Sequence, residues 1–173
     1  TAIGYQSLKA ITQADDNVAV GRASGLGLLT GVENVFVGRD AGYATTDVDS
    51  AVCIGYRAGY ANMTATADGS ICIGHNAGLA LTSGGGNILI GNQAGAEISD
   101  ATYNTVLGYN AMSDSLAGLV NTDNTFIGKG SGGGTWLGTA SSNNTAVGSS
   151  TMQGAMDEAL NNTAIGKGAL AAL

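Results

Sequence analysis

The chain has 173 residues, with 29 glycines, no proline and 5% aromatic residues, a composition that argues against the thick core of an ordinary globular domain. Its net charge of −7 disfavours nucleic acid binding over the surface as a whole. The sequence contains no run of 18 apolar residues and no basic-then-apolar leader. We therefore expect no membrane insertion of this segment.

One local motif recurs ten times along the chain. In each copy an aliphatic residue is followed by glycine, and successive copies begin 17 to 20 residues apart. A period of this length is typical of solenoids, in which each repeat forms one coil stacked on the next. We expect each glycine to supply a positive φ or a close backbone approach at a corner. These corner glycines are Gly4, Gly21, Gly38, Gly55, Gly74, Gly91, Gly108, Gly128, Gly148 and Gly166.

The residues before each glycine predict a short strand. The position directly before the glycine is always Ile, Val or Leu, and the position three before it is Val, Ile or Thr, which favours strand over helix. In an extended segment both positions point to the same face. We predict that the position before the glycine forms the core of the coil, through Val20, Val37, Ile54, Ile73, Ile90, Leu107, Ile127, Val147 and Ile165.

The residue between these two positions points to the opposite face and is also apolar, so the strand must be covered on both sides. A thin coil with few aromatic residues buries little apolar surface of its own. We therefore expect this middle column to pack against partner subunits, and so we predict an oligomer. The column consists of Ala19, Phe36, Cys53, Cys72, Leu89, Val106, Phe126, Ala146 and Ala164.

Asparagine occupies the position four before the glycine in most copies, with Ala51 and Ser70 as exceptions. Asparagine tolerates turn geometry and caps its own backbone. In a stacked solenoid, equivalent amides lie one above another and can form a ladder of side-chain hydrogen bonds. We predict such a ladder, after Asn17 and Asn34, through Asn87, Asn104, Asn124, Asn144 and Asn162.

A weaker apolar column lies seven or eight residues after the glycine and predicts a second strand that closes each coil. Thr45 and Asn62 interrupt it. Variable loops follow, and the loops at 112–123 and 132–143, the latter with Trp136, are the candidates for contacting a ligand. The apolar column consists of Ile11, Leu28, Leu81, Ile98, Leu116, Trp136 and Met156.

We find no motif for catalysis, for a cofactor or for a metal. The only histidine, His75, stands at an exposed corner with no nucleophile or acid tied to it by a recognised motif. Two glycine triplets lack the residues of a phosphate-binding loop, and the Asp47–Asp49 pair lacks a calcium-repeat context. We expect the chain not to be an enzyme.

Two side-chain pairs are predicted between neighbouring coils. Cys53 and Cys72 share the middle column, and we expect them to pack as free thiols rather than as a disulfide. Asp40 and Arg57 share the position two after the glycine, which predicts a surface ion pair of about 1 kcal/mol at most.

Segments such as Asn144-Thr-Ala-Val-Gly148 and Asn162-Thr-Ala-Ile-Gly166 resemble the repeats of phage tail fibres and of trimeric autotransporter adhesin heads. The resemblance covers essentially the whole chain, although the repeat here is longer than the adhesin coil. It implies an all-β fold, a parallel β-solenoid of the left-handed β-roll type with about ten coils of 17–20 residues, assembled as a homotrimer. Residues 1–173 are then one repetitive segment of a longer fibre chain.

The resemblance implies an extracellular location, on a virion tail fibre or on a bacterial cell surface. The expected function is structural and adhesive, in which a trimeric fibre presents loops to a glycan or protein receptor on a host surface. One alternative is a passive spacer shaft with the receptor-binding tip elsewhere. Another is an ice-binding solenoid, which we disfavour because the threonines of the strand share a face with the column predicted to be buried.

Overall fold

The computed structural model describes residues 1–114, 119–136, 139–154 and 158–171. The chain forms a parallel β-solenoid of about nine turns, and each turn contributes one short strand to a single ten-stranded sheet. One 3₁₀ turn, Ala65–Ala67, interrupts the loops. The strands are β1 Ala2–Ile3, β2 Val18–Val20, β3 Val35–Val37, β4 Val52–Ile54, β5 Ile71–Ile73, β6 Ile88–Ile90, β7 Thr105–Leu107, β8 Thr125–Ile127, β9 Thr145–Val147 and β10 Thr163–Ile165.

The strands stack in chain order with equivalent positions paired. Phe36 of β3 pairs with Cys53 of β4, which in turn pairs with Cys72 of β5. The register is kept where the repeat lengthens, since Val106 of β7 pairs with Phe126 of β8 across a 20-residue coil. Each motif position therefore forms a column along the solenoid axis, as the repeat predicts.

The assignment of the two strand faces from the sequence is wrong. The middle column, predicted to meet partner subunits, lies inside the chain's own coil, where eight of its nine members are 0% exposed and Ala164 is 4% exposed. The column before the glycine, predicted to be the core, points outward; Val20, Ile54 and Leu107, for example, are only partly buried or exposed. A three-residue strand places one side chain inward and two outward, so the coil closes around the single column.

Loop residues complete the interior of each coil and compensate for the size of the middle residue. Beside the large Phe36 the turn carries Gly42, where an added Cβ would stand 2.5 Å from the ring. Beside the smaller Cys53, the buried Met63 fills the coil. This exchange of volume between strand and loop keeps the packing dense while the middle column varies from Ala to Phe.

The corner glycines have both properties expected of them. Their φ values lie between +120° and +144°, a backbone conformation in which a side chain is strained. At Gly91 an added Cβ would also stand 2.4 Å from the carbonyl oxygen of Gly108 in the next coil. The corners therefore approach one another more closely than any other residue type permits.

An asparagine ladder is present and buried. The Asn104 side chain donates from Nδ2 to Oδ1 of Asn87 at 3.1 Å, and its own Oδ1 accepts from Nδ2 of Asn124 at 3.1 Å. The ladder continues through Asn144 to Asn162. Each Oδ1 also accepts from the backbone N–H of the next asparagine, at 3.0 Å for Asn104 and Asn124. A separate pair, Asn17 and Asn34, precedes the Ala51 and Ser70 interruption.

The second strand predicted after the corner is absent from the described residues, where Trp136 alone of this column forms an isolated bridge. The apolar side chains nevertheless pack inward: Leu28, Leu81, Ile98 and Trp136 are buried, whereas Ile11 is 37% exposed. Thr45 also lies inside and donates its hydroxyl to the Gly42 carbonyl at 2.8 Å. Leu116 and Met156 lie outside the described residues.

Candidate functional site

The outward face of the sheet forms a regular, mainly aliphatic surface along the described chain. Two columns of side chains stand on it, one ending each strand and one beginning it, and almost all are Val, Ile, Leu or Thr. Individual members remain accessible, with Val18 37%, Ile88 38% and Leu107 43% exposed. We call this surface the outer face; no segment of the described chain covers it.

The outer face is long and narrow. Ten strands at the usual spacing of about 4.8 Å give a length of roughly 43 Å. Two columns of side chains make it about 12 Å wide, so its area is roughly 500 Å². The largest apolar patch on a typical monomer is about 300–600 Å² and is often a binding site. Stable protein interfaces bury about 800 Å² on each partner, so residues bordering the face must add to such a contact.

A second surface feature is a cluster of stacked rings and guanidinium groups beside the corners of three consecutive coils. We call it the arginine–tyrosine patch, and its members contact one another both across neighbouring coils and within one coil. The Tyr43 and Tyr60 rings are stacked, with centroids 5.0 Å apart and planes 9° apart. The patch consists of Arg39, Tyr43, Tyr56, Arg57, Tyr60 and His75.

Arg57 joins the two halves of the patch. Its guanidinium carbon lies 5.2 Å from the Tyr56 ring centre and 5.0 Å from the Tyr60 ring centre. Arg39 lies over the other part of the patch, 5.4 Å from the Tyr56 ring centre. These distances are within the range of cation–π attraction.

Asp40 holds the arginines of two coils, in place of the Asp40–Arg57 pair predicted from the sequence. Its buried carboxylate accepts from Nε of Arg39 at 3.2 Å, and Arg22 lies 3.9 Å away. Both arginine side chains remain more than half exposed, at 56% and 55%. Arg57 is instead held by the tyrosine rings, because Asp40 is already occupied by its two other neighbours.

Trp136 does not belong to a ligand-contacting surface, so the sequence prediction for it is wrong. Its side chain is fully buried and donates from Nε1 to the Gly132 carbonyl at 2.9 Å. Its ring packs edge-on against Phe126, with centroids 5.6 Å apart. Tryptophan fills the wider interior of this 20-residue coil, where a glycine at position 132 makes room for Phe126. Positions 115–118 and 137–138 of the two candidate loops lie outside the described residues.

Of the remaining sequence candidates, Cys53 and Cys72 lie apart from both surfaces, and His75 belongs to the arginine–tyrosine patch. Cys53 and Cys72 are free and buried in the coil interior. The pKa of the Cys53 thiol is well above its usual range, mainly because of its hydrogen bond with Cys72 and to a lesser extent because it is buried. A raised pKa disfavours a reactive thiolate. His75 is exposed, and its ring lies 5.2 Å from that of Tyr56.

Sequence reasoning missed the arginine–tyrosine patch, although a signal was available. The exposed position after the corner glycine carries Arg39, Tyr56 and His75 in three consecutive coils. Stacked coils bring such residues together, but the sequence was read for the columns that recur in every coil. A feature confined to three coils is invisible to that search.

Within the described residues there is no surface pocket, no group of three or more His, Cys, Asp or Glu placed to hold a metal ion, and no helix long and apolar enough to cross a membrane. Comparison of the chain with protein-family models, with curated proteins and with solved structures gives no match.

Proposed function

We propose that this chain is a structural and adhesive segment of an extracellular trimeric fibre, of the kind found in phage tail fibres or bacterial surface adhesins, which presents loops for attachment to a host surface. The observation that carries the proposal is the outer face, an exposed aliphatic strip that runs along all ten strands. A long rod with a continuous apolar side is suited to lateral association with copies of itself.

The shape of the outer face supports association of like with like. Its side chains are almost all β-branched or leucine and stand in straight columns, so the surface is flat and repeats at every coil. Two such surfaces fit each other at any axial position that is a multiple of the coil spacing. Threefold symmetry rests on the resemblance to trimeric fibres, and it gives every subunit the same neighbours with no free apolar side.

Sedimentation equilibrium of the purified chain tests the assembly. We expect a trimer, and the substitution Leu107→Asp in the centre of the outer face should shift the population towards monomers. The matched control is Tyr103→Asp, a change at another exposed position of the same coil, which should leave the trimer intact. A wild-type chain that remains monomeric at high micromolar concentration would contradict the proposal.

Binding to a glycan and protein array tests the adhesive part. Reproducible binding that is lost when loops 112–123 and 132–143 are exchanged supports adhesion through those loops. A trimer that binds nothing on the array fits a passive spacer shaft, whose receptor-binding tip lies elsewhere.

Ice binding is a second candidate, which one observation favours. Thr105, Thr125, Thr145 and Thr163 form a column on the outer face and are exposed or only partly buried. The sequence argument against ice binding placed these threonines in the interior, and that placement is wrong. A flat array of threonine on regularly spaced strands suits an ordered water layer. Thermal hysteresis at micromolar protein concentration would support ice binding, and the absence of thermal hysteresis would contradict it.

A further inference from the structure

We propose that the arginine–tyrosine patch binds acidic saccharides, that is, sugar chains carrying carboxylate or sulfate groups. The inference rests on the proposed attachment function and gives it a ligand class and a site distinct from loops 112–123 and 132–143. Three kinds of observation support it: the concentration of positive charge, the donor groups left available, and the spacing of the coils.

The positive charge of the chain is concentrated at this patch. The chain has three arginines, Arg22, Arg39 and Arg57, and all of them lie in three consecutive coils. Asp40 is the one carboxylate paired with them among the described residues. Arg39 and Arg57 of the patch, together with Arg22 and Asp40 at its edge, carry a summed charge of +2. The remainder of a chain with net charge −7 repels long polyanions. A short or sparsely charged anion is therefore the favoured ligand.

The arginines are held in place yet keep unused donors. Arg39 uses its Nε for Asp40, and its side chain is 56% exposed, so its terminal nitrogens remain available to a ligand. Arg57 is positioned by two rings, and its Nε is buried without a hydrogen-bond partner. The donors of Arg57 that a ligand can reach are therefore those of its terminal nitrogens, since the residue as a whole is only partly buried. Guanidinium groups fixed in this way bind carboxylates and similar oxyanions in a bidentate manner.

The tyrosines add neutral polar groups suited to sugar hydroxyls. Tyr43 and Tyr60 stack face to face and are only partly buried. Each carries a phenolic hydroxyl, which can both donate to and accept from a sugar hydroxyl. Tyrosine presents such groups at low entropic cost because its side chain has few rotatable bonds. Adjacent coils repeat at about 4.8 Å, which is close to the length of one pyranose unit in an extended glycan. Successive sugars can therefore meet equivalent groups on successive coils.

The test is titration calorimetry of the full chain with four probes: an oligosialic acid for carboxylate, a heparin oligosaccharide for sulfate, neutral dextran, and polyglutamate as a non-saccharide carboxylate. We expect binding of one or both acidic saccharides, with at least tenfold weaker binding of dextran and of polyglutamate. Equal binding of polyglutamate would overturn the proposal in favour of charge alone, and no binding of either acidic saccharide would also overturn it.

Variants locate the site. Arg39→Gln should lower the affinity for the acidic saccharide at least tenfold. The double change Tyr43→Phe with Tyr60→Phe, which keeps the stacked rings, should lower that affinity about threefold. The matched control is Lys129→Gln, which removes a cation from the same column five coils beyond Arg39 and should change nothing. An equal loss in Lys129→Gln, or full binding by Arg39→Gln, would overturn the assignment, and so would a loss accompanied by unfolding or by a change in sedimentation.

The same variants separate this inference from the function on which it rests. If the wild-type chain forms a trimer and binds array ligands that Arg39→Gln still binds, the patch is not the site but the fibre function stands. If the chain is monomeric and binds no surface, the fibre function itself fails.

Discussion

The inner and outer sides of the sheet differ in how much their residues vary. A uniform apolar column usually indicates the core, but here the variable column is buried and the uniform column faces outward. The inner column varies from Ala146 to Phe126 and is completely buried. The outer column beside it is uniformly Val, Ile or Leu and is partly exposed. Inside, loop residues such as Met63 or Trp136 compensate for each change of volume. Outside, no loop is available to compensate, so uniform side chains are what keep the surface flat.

In this solenoid, the column with the same residue type in every coil forms a flat outer surface and is not the column buried within the chain. A flat surface of stacked strands packs well against another flat surface, whereas a single large residue would hold the two apart. The outer face is thus where we propose that a second copy of the chain packs, and the inner column is where the side chains of each coil are buried.

The largest effect is expected from a charge placed on either side of β7. Val106→Asp buries a carboxylate without a partner and should cost more than about 4 kcal/mol, enough to unfold the solenoid. Leu107→Asp, one residue further, should lower the free energy of unfolding of the isolated chain by less than about 1 kcal/mol. Urea unfolding followed by circular dichroism measures both, and similar losses in the two variants would contradict the assignment of faces.

The corner between the two sides is the next most sensitive position. Gly91→Ala places a Cβ against the Gly108 carbonyl and keeps φ at +135°, so it should cost about 3 kcal/mol or more. The control is Gly69→Ala, which has φ +68° with open space around the added Cβ and should cost about 1 kcal/mol. Thermal unfolding of the two variants gives the difference, and equal costs would show that coil contact at the corner is unimportant.

The fold class, the register and the corner glycines are predictable from the sequence because each follows from a strict repeat. The asparagine ladder is predictable for the same reason, since Asn87 to Asn162 occupy one motif position. The direction of the strand faces was predicted wrongly because periodicity shows that Val106 and Leu107 oppose each other but not which of them faces the loops. Deciding that requires the volume of the loop residues, such as Trp136, which were assigned to the surface.

The polar interior gives a smaller effect than the corner. Asn104→Ala removes the acceptor of two bonds from Asn124 and leaves Oδ1 of Asn87 with fewer donors. We expect a loss of about 2 kcal/mol, since buried donors are left unpaired. Asn162→Ala, at the end of the ladder and only partly buried, should cost about half as much. Unfolding in urea tests the ratio, and a larger loss at Asn162 would argue against a cooperative ladder.

The smallest effect concerns the thiols inside β4 and β5. The hydrogen bond with Cys72 and burial raise the pKa of Cys53 well above its ordinary value of 9.0. The neutral thiol then makes its full contribution to the free energy of unfolding below pH 9.0. That contribution falls as the pH rises through and beyond 9.0, because the thiol loses its proton at lower pH in the unfolded chain than in the folded one. The slope should be at most about 1.4 kcal/mol per pH unit. Unfolding between pH 7 and 10.5 should show this extra loss relative to Cys53→Ala, and parallel profiles would contradict it.

The coil from Gly108 to Gly128 is three residues longer than the coil from Gly74 to Gly91, yet both leave their strands in the same register. The register is also kept in the coils where Ala51 and Ser70 replace the asparagine. Alignment therefore follows the strand and its corner glycine, and the length of the intervening segment can change. Whole coils can accordingly be inserted, deleted or exchanged by genetic recombination. Such changes alter the length of the solenoid or the residues on its surface and keep the contacts between neighbouring coils.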